Sequence, residues 1–235
     1  MPSSDHISRQ FDAELEAIRA NVLQMGGLVE SQIKSAIESL VNGDVALMNR
    51  VIEDDHRVNG MEVKIDESCT QVIARRQPTA SDLRLVMTVF KTITDLERIG
   101  DEAEKIARMA KMLSQKHGLV IPRYNEIKHA SEIAVDMLRK SLDAFARLDV
   151  VMAAQVVRQD DQVDDEFRAI MRYLITFMME DPRTISTSLE ILFVAKAIER
   201  IGDHAKNISE YVIYMVKGRD VRHVTVDEIE REVHR

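Results

Sequence analysis

The strings Asp95-Leu96-Glu97-Arg98-Ile99-Gly100-Asp101 and Ala197-Ile198-Glu199-Arg200-Ile201-Gly202-Asp203 share the core Glu-Arg-Ile-Gly-Asp and lie 102 residues apart in a chain of 235. One such match means little. Upstream, however, Asp44 and Asp149, Asp55 and Asp160, and Asn59 and Asp164 are each separated by 105 residues. The offset is constant within a segment and changes only between segments. A duplicated structural unit whose turns have since changed length behaves this way. The chain is therefore two copies of one unit, and whatever fold it adopts has to be built twice.

Each copy reads as three helices. In the first, Ile7, Phe11, Leu15, Ile18, Val22, Met25, Val29, Ile33, Ile37 and Leu40 recur in steps of three and four, the helical period. Asn42-Gly43-Asp44 breaks this helix, with Gly43 as its stop and Asp44 as the next N-cap. Val51, Val58, Ile65 and Val72 then recur every seventh residue, the signature of a bundle seam. Gln77-Pro78-Thr79 ends the second helix, and Thr79 with Asp82 resembles a capping box for the third. His117-Gly118 and Pro122 mark the linker. The second copy runs from about Tyr124, with Asp149 and Asp181-Pro182 opening its second and third helices and Gly218 closing the last. The expected fold is all-α, two tandem three-helix up-down bundles over residues 1–118 and 119–220, with a charged tail over 221–235 that forms a short frayed helix.

Composition agrees with long helices: only four prolines and eight glycines punctuate the chain, and apolar residues make up 45%. The net charge of −8 argues against nucleic acid as the main ligand, because a phosphate backbone recruits clustered Lys and Arg. Cys69 stands alone, so no intrachain disulfide forms, and its apolar neighbours predict burial. No basic segment followed by an apolar run opens the chain, and no apolar stretch reaches bilayer-spanning length. The expectation is a cytoplasmic protein that meets a membrane only through partners.

The repeated signature carries the candidate chemistry. On a helix, residues four apart share a face, so Glu97 points with Asp101 and Glu199 with Asp203. The middle helices offer Asp55 with Asn59 and Asp160 with Asp164 at the same spacing. If the second and third helices of each copy pack antiparallel, these rows face each other and form one oxygen-rich patch per half. Such donors suit Mg, Ca, Mn or Fe. The bland alternative is a solvated acidic face, with Arg98 and Arg200 as local partners. Counting charges ranks the second patch first, because Asp164 stands where the first has Asn59. A glycine inside a helix costs about 1 kcal/mol relative to alanine. Its identical placement at Gly100 and Gly202 therefore signals close approach by a neighbouring helix or a ligand.

Other features carry less. Glu53 with His56 and Glu126 with His129 have the spacing of carboxylate-bridged di-iron bundles, but they do not correspond under the repeat and read as surface histidines. The Met171, Met178 and Met179 group reads as core or partner surface. No phosphate-cradling glycine loop and no nucleophile triad is present.

Both Glu-Arg-Ile-Gly-Asp strings, together with His-Ile-Ser-Arg-Gln-Phe-Asp-Ala-Glu-Leu-Glu (6–16), Val-Asn-Gly-Met-Glu-Val-Lys-Ile-Asp (58–66), Arg-Gln-Pro-Thr-Ala-Ser-Asp-Leu-Arg-Leu-Val-Met (76–87) and Met-Met-Glu-Asp-Pro-Arg-Thr-Ile (178–185), resemble the PhoU family of phosphate-specific transport system accessory proteins. The resemblance covers nearly the whole chain. It implies a non-enzymatic negative regulator of the phosphate-starvation response. Its partners would be the ATPase subunit of the phosphate ABC transporter and the phosphate sensor histidine kinase, with homodimerisation expected. It also implies metal ions (Fe, Mn, Mg, Zn or Ca) on the acidic motifs, carried by position to Glu97, Asp101, Glu199 and Asp203, with Asp55, Asp160 and Asp164 from the middle helices. The competing readings are a carboxylate-bridged metal protein with storage or redox activity, and a purely structural scaffold.

Overall fold

The computed structural model describes residues 9–115 and 124–233. Its helices are α1 (Arg9–Asn42), α2 (Val45–Arg76), α3 (Ala80–Ser114), α4 (Tyr124–Arg147), α5 (Val150–Glu180), α6 (Ile185–Lys217) and α7 (Val226–Val233), with a 3-10 turn at Pro182–Thr184. Among the described residues there is no strand, and no helix is long and apolar enough to cross a membrane. The expected positions of Ile7, His117-Gly118 and Pro122 lie outside the described residues.

The helices form two tandem three-helix bundles. α1, α2 and α3 pack together, and so do α4, α5 and α6. The seven-residue series on α2 is buried from Val51 to Val72, and the α1 series is buried from Phe11 to Leu40. Cys69 lies wholly inside, and burial pushes its thiol up to about 12. Arg76 ties the end of α2 to the start of α1 through a two-pronged bond to Glu14, at 2.7 and 3.0 Å.

The turns follow from local chemistry. Asp44 accepts a hydrogen bond from the Leu47 amide at 3.0 Å, and Asp149 accepts from the Val151 and Met152 amides, each at 3.0 Å. These bonds satisfy helix-start donors that have no partner within the helix. Asp181 likewise accepts from the Arg183 amide at 3.1 Å, ahead of α6. Thr79 departs from the expected capping box: its hydroxyl donates to the Asp82 carboxylate at 2.9 Å and caps no backbone amide. The tail forms a short helix, as expected, but α7 is docked on α5 with Ile229 and Val233 buried, and Arg158 of α5 pairs with Glu230 at 2.7 Å. Its apolar residues fall on one helical face, which gives an otherwise charged segment something to bury.

Two antiparallel contacts join the halves. α1 crosses α4 at Gly26, where an added Cβ would lie 2.5 Å from Leu142 Cδ1. Beside it, Arg19 donates to the Ala146 carbonyl at 2.7 Å, satisfying an acceptor in the last turn of α4. The second and larger contact is α3 against α6.

The duplicated turns are chemically unequal. Gly43 ends the first with φ 65°, and Leu148, 105 residues on, adopts φ 57°. Only glycine takes this left-handed conformation without a steric cost of about 1–2 kcal/mol. Leu148 is exposed, so little packing offsets that cost. Leu148→Gly is therefore expected to stabilise the chain by about 0.5–1 kcal/mol after glycine's entropic cost. Denaturant melts of the two proteins check this, and a loss of stability would refute the strain at this turn.

Candidate functional site: two acidic patches flanking a polar seam

The structure brings the first set of acidic residues together. α2 and α3 run antiparallel, and Gly100 lets them approach. A Cβ on Gly100 would sit 3.3 Å from Val58 Cγ1 and 3.4 Å from both Asp55 Oδ1 and Gln32 Oε1. The neighbour that the glycine anticipates is thus α2, with a side chain from α1. Asp55 is buried and accepts the Gln32 amide at 3.0 Å and the Asn59 amide at 3.2 Å. Gln32 Oε1 and Asn59 Oδ1 are buried without partners of their own. Glu62 accepts the Thr94 hydroxyl at 3.3 Å.

Nearby cations are engaged elsewhere: Arg98 lies 4.0 Å from Asp95, Lys105 2.7 Å from Glu102, and Arg108 2.5 Å from Glu104. The expected local pairing of Arg98 with the acidic motif does not form. Burial raises the Glu97 carboxyl above the usual range, and the fields of Asp101, Glu62 and Asp55 add to it. Asp101, exposed at the edge of the patch, is raised in the same direction by partial loss of hydration and then by Asp55 and Glu104, against the pull of Lys105.

The second set is assembled differently. Gly202 faces Val163 of α5, 3.5 Å from an added Cβ. Asp160, buried like Asp55, accepts the Lys206 ammonium at 2.7 Å. Glu199 accepts Lys196 at 2.5 Å, and Asp164 accepts Arg168 at 3.1 Å. Burial raises the Asp160 carboxyl against the lowering pull of Lys206, and it raises Asp203 with help from Glu199 and Asp160. Burial opposes the charge on Lys206, yet the bond to Asp160 and the fields of Asp160, Glu210 and Asp203 hold it above the usual range. One helical turn beyond Lys206, burial pushes the Glu210 carboxyl up to about 7.

As they stand, no three His, Cys, Asp or Glu side chains among the described residues are gathered closely enough to enclose a metal ion. The first patch nevertheless offers only oxygen donors, feels Arg98, Lys105 and Arg108 through their fields, and leaves a buried amide oxygen unpartnered. That chemistry fits a hard cation. In the second patch an ammonium already lies against the buried carboxylate. His56 and His129 are exposed, as expected of surface histidines.

The seam between the patches was not legible as a site. Across it, His204 Nδ1 bonds Asp95 Oδ1 at 2.7 Å, with both side chains buried, and Asn207 donates to the same oxygen at 3.4 Å. Arg200, expected beside Glu199, instead crosses to Glu102 at 3.1 Å. Under the repeat, His204 corresponds to Glu102 and Asp95 to Ala197.

The seam's two ends also differ. At one, the Lys91 ammonium lies 5.3 and 5.4 Å from the ring centres of Tyr211 and Tyr214. At the other, the repeat places Phe193, Met109 and Met112 in those three positions. There a groove of about 990 Å³ opens, lined by Met109, Met112, Leu189 and Phe193 and bordered by Lys105 and Arg200. Phe193 is 54% exposed.

A duplicated helical unit with an acidic row on the third helix of each copy defines a class of tandem-bundle proteins, and comparison places the chain within it. The PhoU domain family model matches residues 22–110 and again 127–212, so the chain belongs to the PhoU family. It is 53% identical over 96% of its length to the phosphate-specific transport system accessory protein PhoU of Serratia marcescens, covering 92% of that protein. To the protein of the same name from Escherichia coli K12 it is 52% identical, over 96% of this chain and 93% of that one. The crystal structure of PhoU from Pseudomonas aeruginosa superposes with a TM-score of 0.85 at 48% identity, over 89% of this chain and all of that one (100%). The phosphate transport system regulatory protein PhoU from Streptococcus pneumoniae superposes at 0.83 with 27% identity, over 90% of this chain and 99% of that one.

The Glu210 carboxyl gives the site a pH signature. Between about pH 4.5, its ordinary value, and about 7, the folded chain holds a proton that the unfolded chain has released. Stability therefore falls as pH rises through that window. Glu210→Gln is expected to flatten the melting profile there and to be more stable than the parent above pH 7 by on the order of 1–3 kcal/mol. Identical pH profiles for the two proteins would refute the buried proton.

Proposed function

We propose that this chain is a non-enzymatic regulator of phosphate transport. It acts in the cytoplasm as an adaptor between the ATPase subunit of the phosphate ABC transporter and the phosphate sensor histidine kinase, and holds the phosphate-starvation response off when phosphate is ample. The observation that carries this reading is the family match in both halves of the chain, with close relatives named as phosphate-specific transport system accessory proteins. The structure supports an adaptor in a more specific way. The α3–α6 seam exposes at one end a groove of apolar side chains bordered by Lys105, Arg183, Lys196 and Arg200 against Glu102 and Glu190, a net positive rim suited to a partner segment that is apolar and acidic.

A second reading is favoured by the unpartnered Gln32 oxygen beside Asp55 and Gly100. In it, Asp55, Glu97 and Asp101 with the Gln32 amide oxygen hold a hard or intermediate cation (Mg, Ca, Mn, Fe or Zn), which would offset the repulsion among the carboxylates. Signalling and metal uptake are compatible. Redox or storage activity would additionally require turnover or accumulation of the metal.

Deleting the gene is expected to leave phosphate-starvation genes expressed in phosphate-rich medium; normal repression would sink the regulatory reading. Leu189→Asp with Phe193→Asp is expected to leave the melting temperature within a few degrees of the parent, because both side chains are exposed. The same pair should weaken co-purification of the ATPase or kinase at least ~10-fold, a change of about 1.4 kcal/mol. Undiminished co-purification would exclude the groove as the docking face.

A further inference from the structure

The two acidic patches descend from one duplicated motif, and four of the residues around them have diverged in one direction, against the opposite exchanges of Asn59 for Asp164 and Arg108 for Glu210. Four repeat-related positions decide it. Gln32 on α1 corresponds to Met137 on α4, and Glu62 on α2 to Phe167 on α5. On the third helices, Thr94 corresponds to Lys196 and Glu104 to Lys206. Each of these four exchanges leaves the first patch with more oxygen donors or fewer positive charges, and the second with the reverse.

The geometry gives these exchanges their meaning. In the first half, Gln32 is only 6% exposed; its Nε2 donates to Asp55 Oδ1 at 3.0 Å and its free Oε1 lies beside Gly100. Glu104 adds its field to Asp101, while its own ion-pair partner, Arg108, sits a helical turn farther along α3. In the second half the position of Glu104 is taken by Lys206, whose ammonium reaches the buried Asp160 carboxylate at 2.7 Å and feels Asp203 and Glu210 as well. The position of Arg108 is taken by Glu210, so the pair of charges is inverted between the halves. Lys196 holds Glu199 Oε1 at 2.5 Å, with Glu199 Oε2 left buried and unpartnered, and lies 5.3 Å from the centre of the Phe167 ring. A cation entering beside Asp160 would meet a resident ammonium, on a lysine whose side chain is 34% exposed, and would have to break its 2.7 Å ion pair to bind.

We infer that Lys206 serves as a built-in cation for the second acidic patch, so that divalent metal uptake by this chain is confined to the first patch. The inference rests on the cation reading for the first half, but its central claim, that Lys206 blocks the second half, can be tested apart from it. It also reverses the order that a count of carboxylates gives, in which Asp164 favours the second patch over the first.

The probe is Mn2+ alone, counted by equilibrium dialysis on the full chain, with thermal melts in the presence and absence of the ion. The parent protein is expected to bind one equivalent, lost in the double variant Glu97→Gln with Asp101→Asn and kept in Glu199→Gln with Asp203→Asn. Lys206→Gln is expected to gain one further equivalent and a Mn2+-dependent rise in melting temperature, both removed by adding Asp160→Asn. Should the parent bind no Mn2+ while Lys206→Gln binds one equivalent, the role of Lys206 stands and the cation reading of the first patch falls. A Lys206→Gln protein with no added equivalent and no Mn2+-dependent melting shift overturns the inference, as does a parent that binds at both patches. Glu104→Lys, at a half-buried position on α3, guards against misfolding of the Lys206 variant. Placing the second-half charge in the first patch should abolish the parent's single equivalent, and unchanged binding would also overturn the inference.

Discussion

The antiparallel packing of α3 on α6 sets the position of every other long helix. α1 and α2 rest on α3, and α4 and α5 rest on α6, so the two bundles share one central pair. Because the halves are copies, this contact has near-twofold symmetry, yet the polar groups within it do not. Asp95, His204, Asn207, Arg200 and Glu102 bond across the seam in pairs that have no counterpart under the repeat. Hydrogen bonds in a buried contact hold strongly to one register, because slipping by a turn would strand each group away from water. An apolar seam between two similar helices would fix that register far less well.

The same helices carry a cost that the core offsets. Gly100 and Gly202 give up helix propensity to admit α2 and α5. The approach sets Asp55 beside the Glu97–Asp101 row and Asp160 beside the Glu199–Asp203 row. Carboxylates so placed resist ionisation: loss of hydration and mutual repulsion raise Glu97, Asp101, Asp160 and Asp203 together. Perturbed groups of this kind gather where a fold holds a site. The second half relieves part of that strain internally, through a lysine; the first does not.

Much of the architecture was readable from periodicity. Steps of three and four on α1, the seven-residue series on α2, the paired caps Asp44 and Asp149, and the stop at Gly218 each have a local physical cause, and each reappears in the structure. The facing of the two acidic rows followed from helix spacing and antiparallel packing. Three things did not follow. The docking of α7 depends on a surface of α5 that its own sequence does not reveal. The pairing of His204 with Asp95 depends on which faces meet between the halves, which repeat arithmetic leaves open. The partner of Asp160 is Lys206, on the helix opposite, so no spacing within α5 exposes it. Residues that act through a neighbouring helix are hidden from a one-dimensional pattern, even when the elements are plain.

The unequal ends of the seam have a consequence of valence. Two identical ends would let one kind of partner bind twice, and with a partner that is itself bivalent such a scaffold chains molecules into extended assemblies. Here one end is closed by Lys91 over two tyrosine rings, and the other lies open around Phe193 and two methionines. A molecule fitted to the open end finds no second copy of it on the same chain. The duplication that built the fold twice has left the seam with a direction, one end closed and one open.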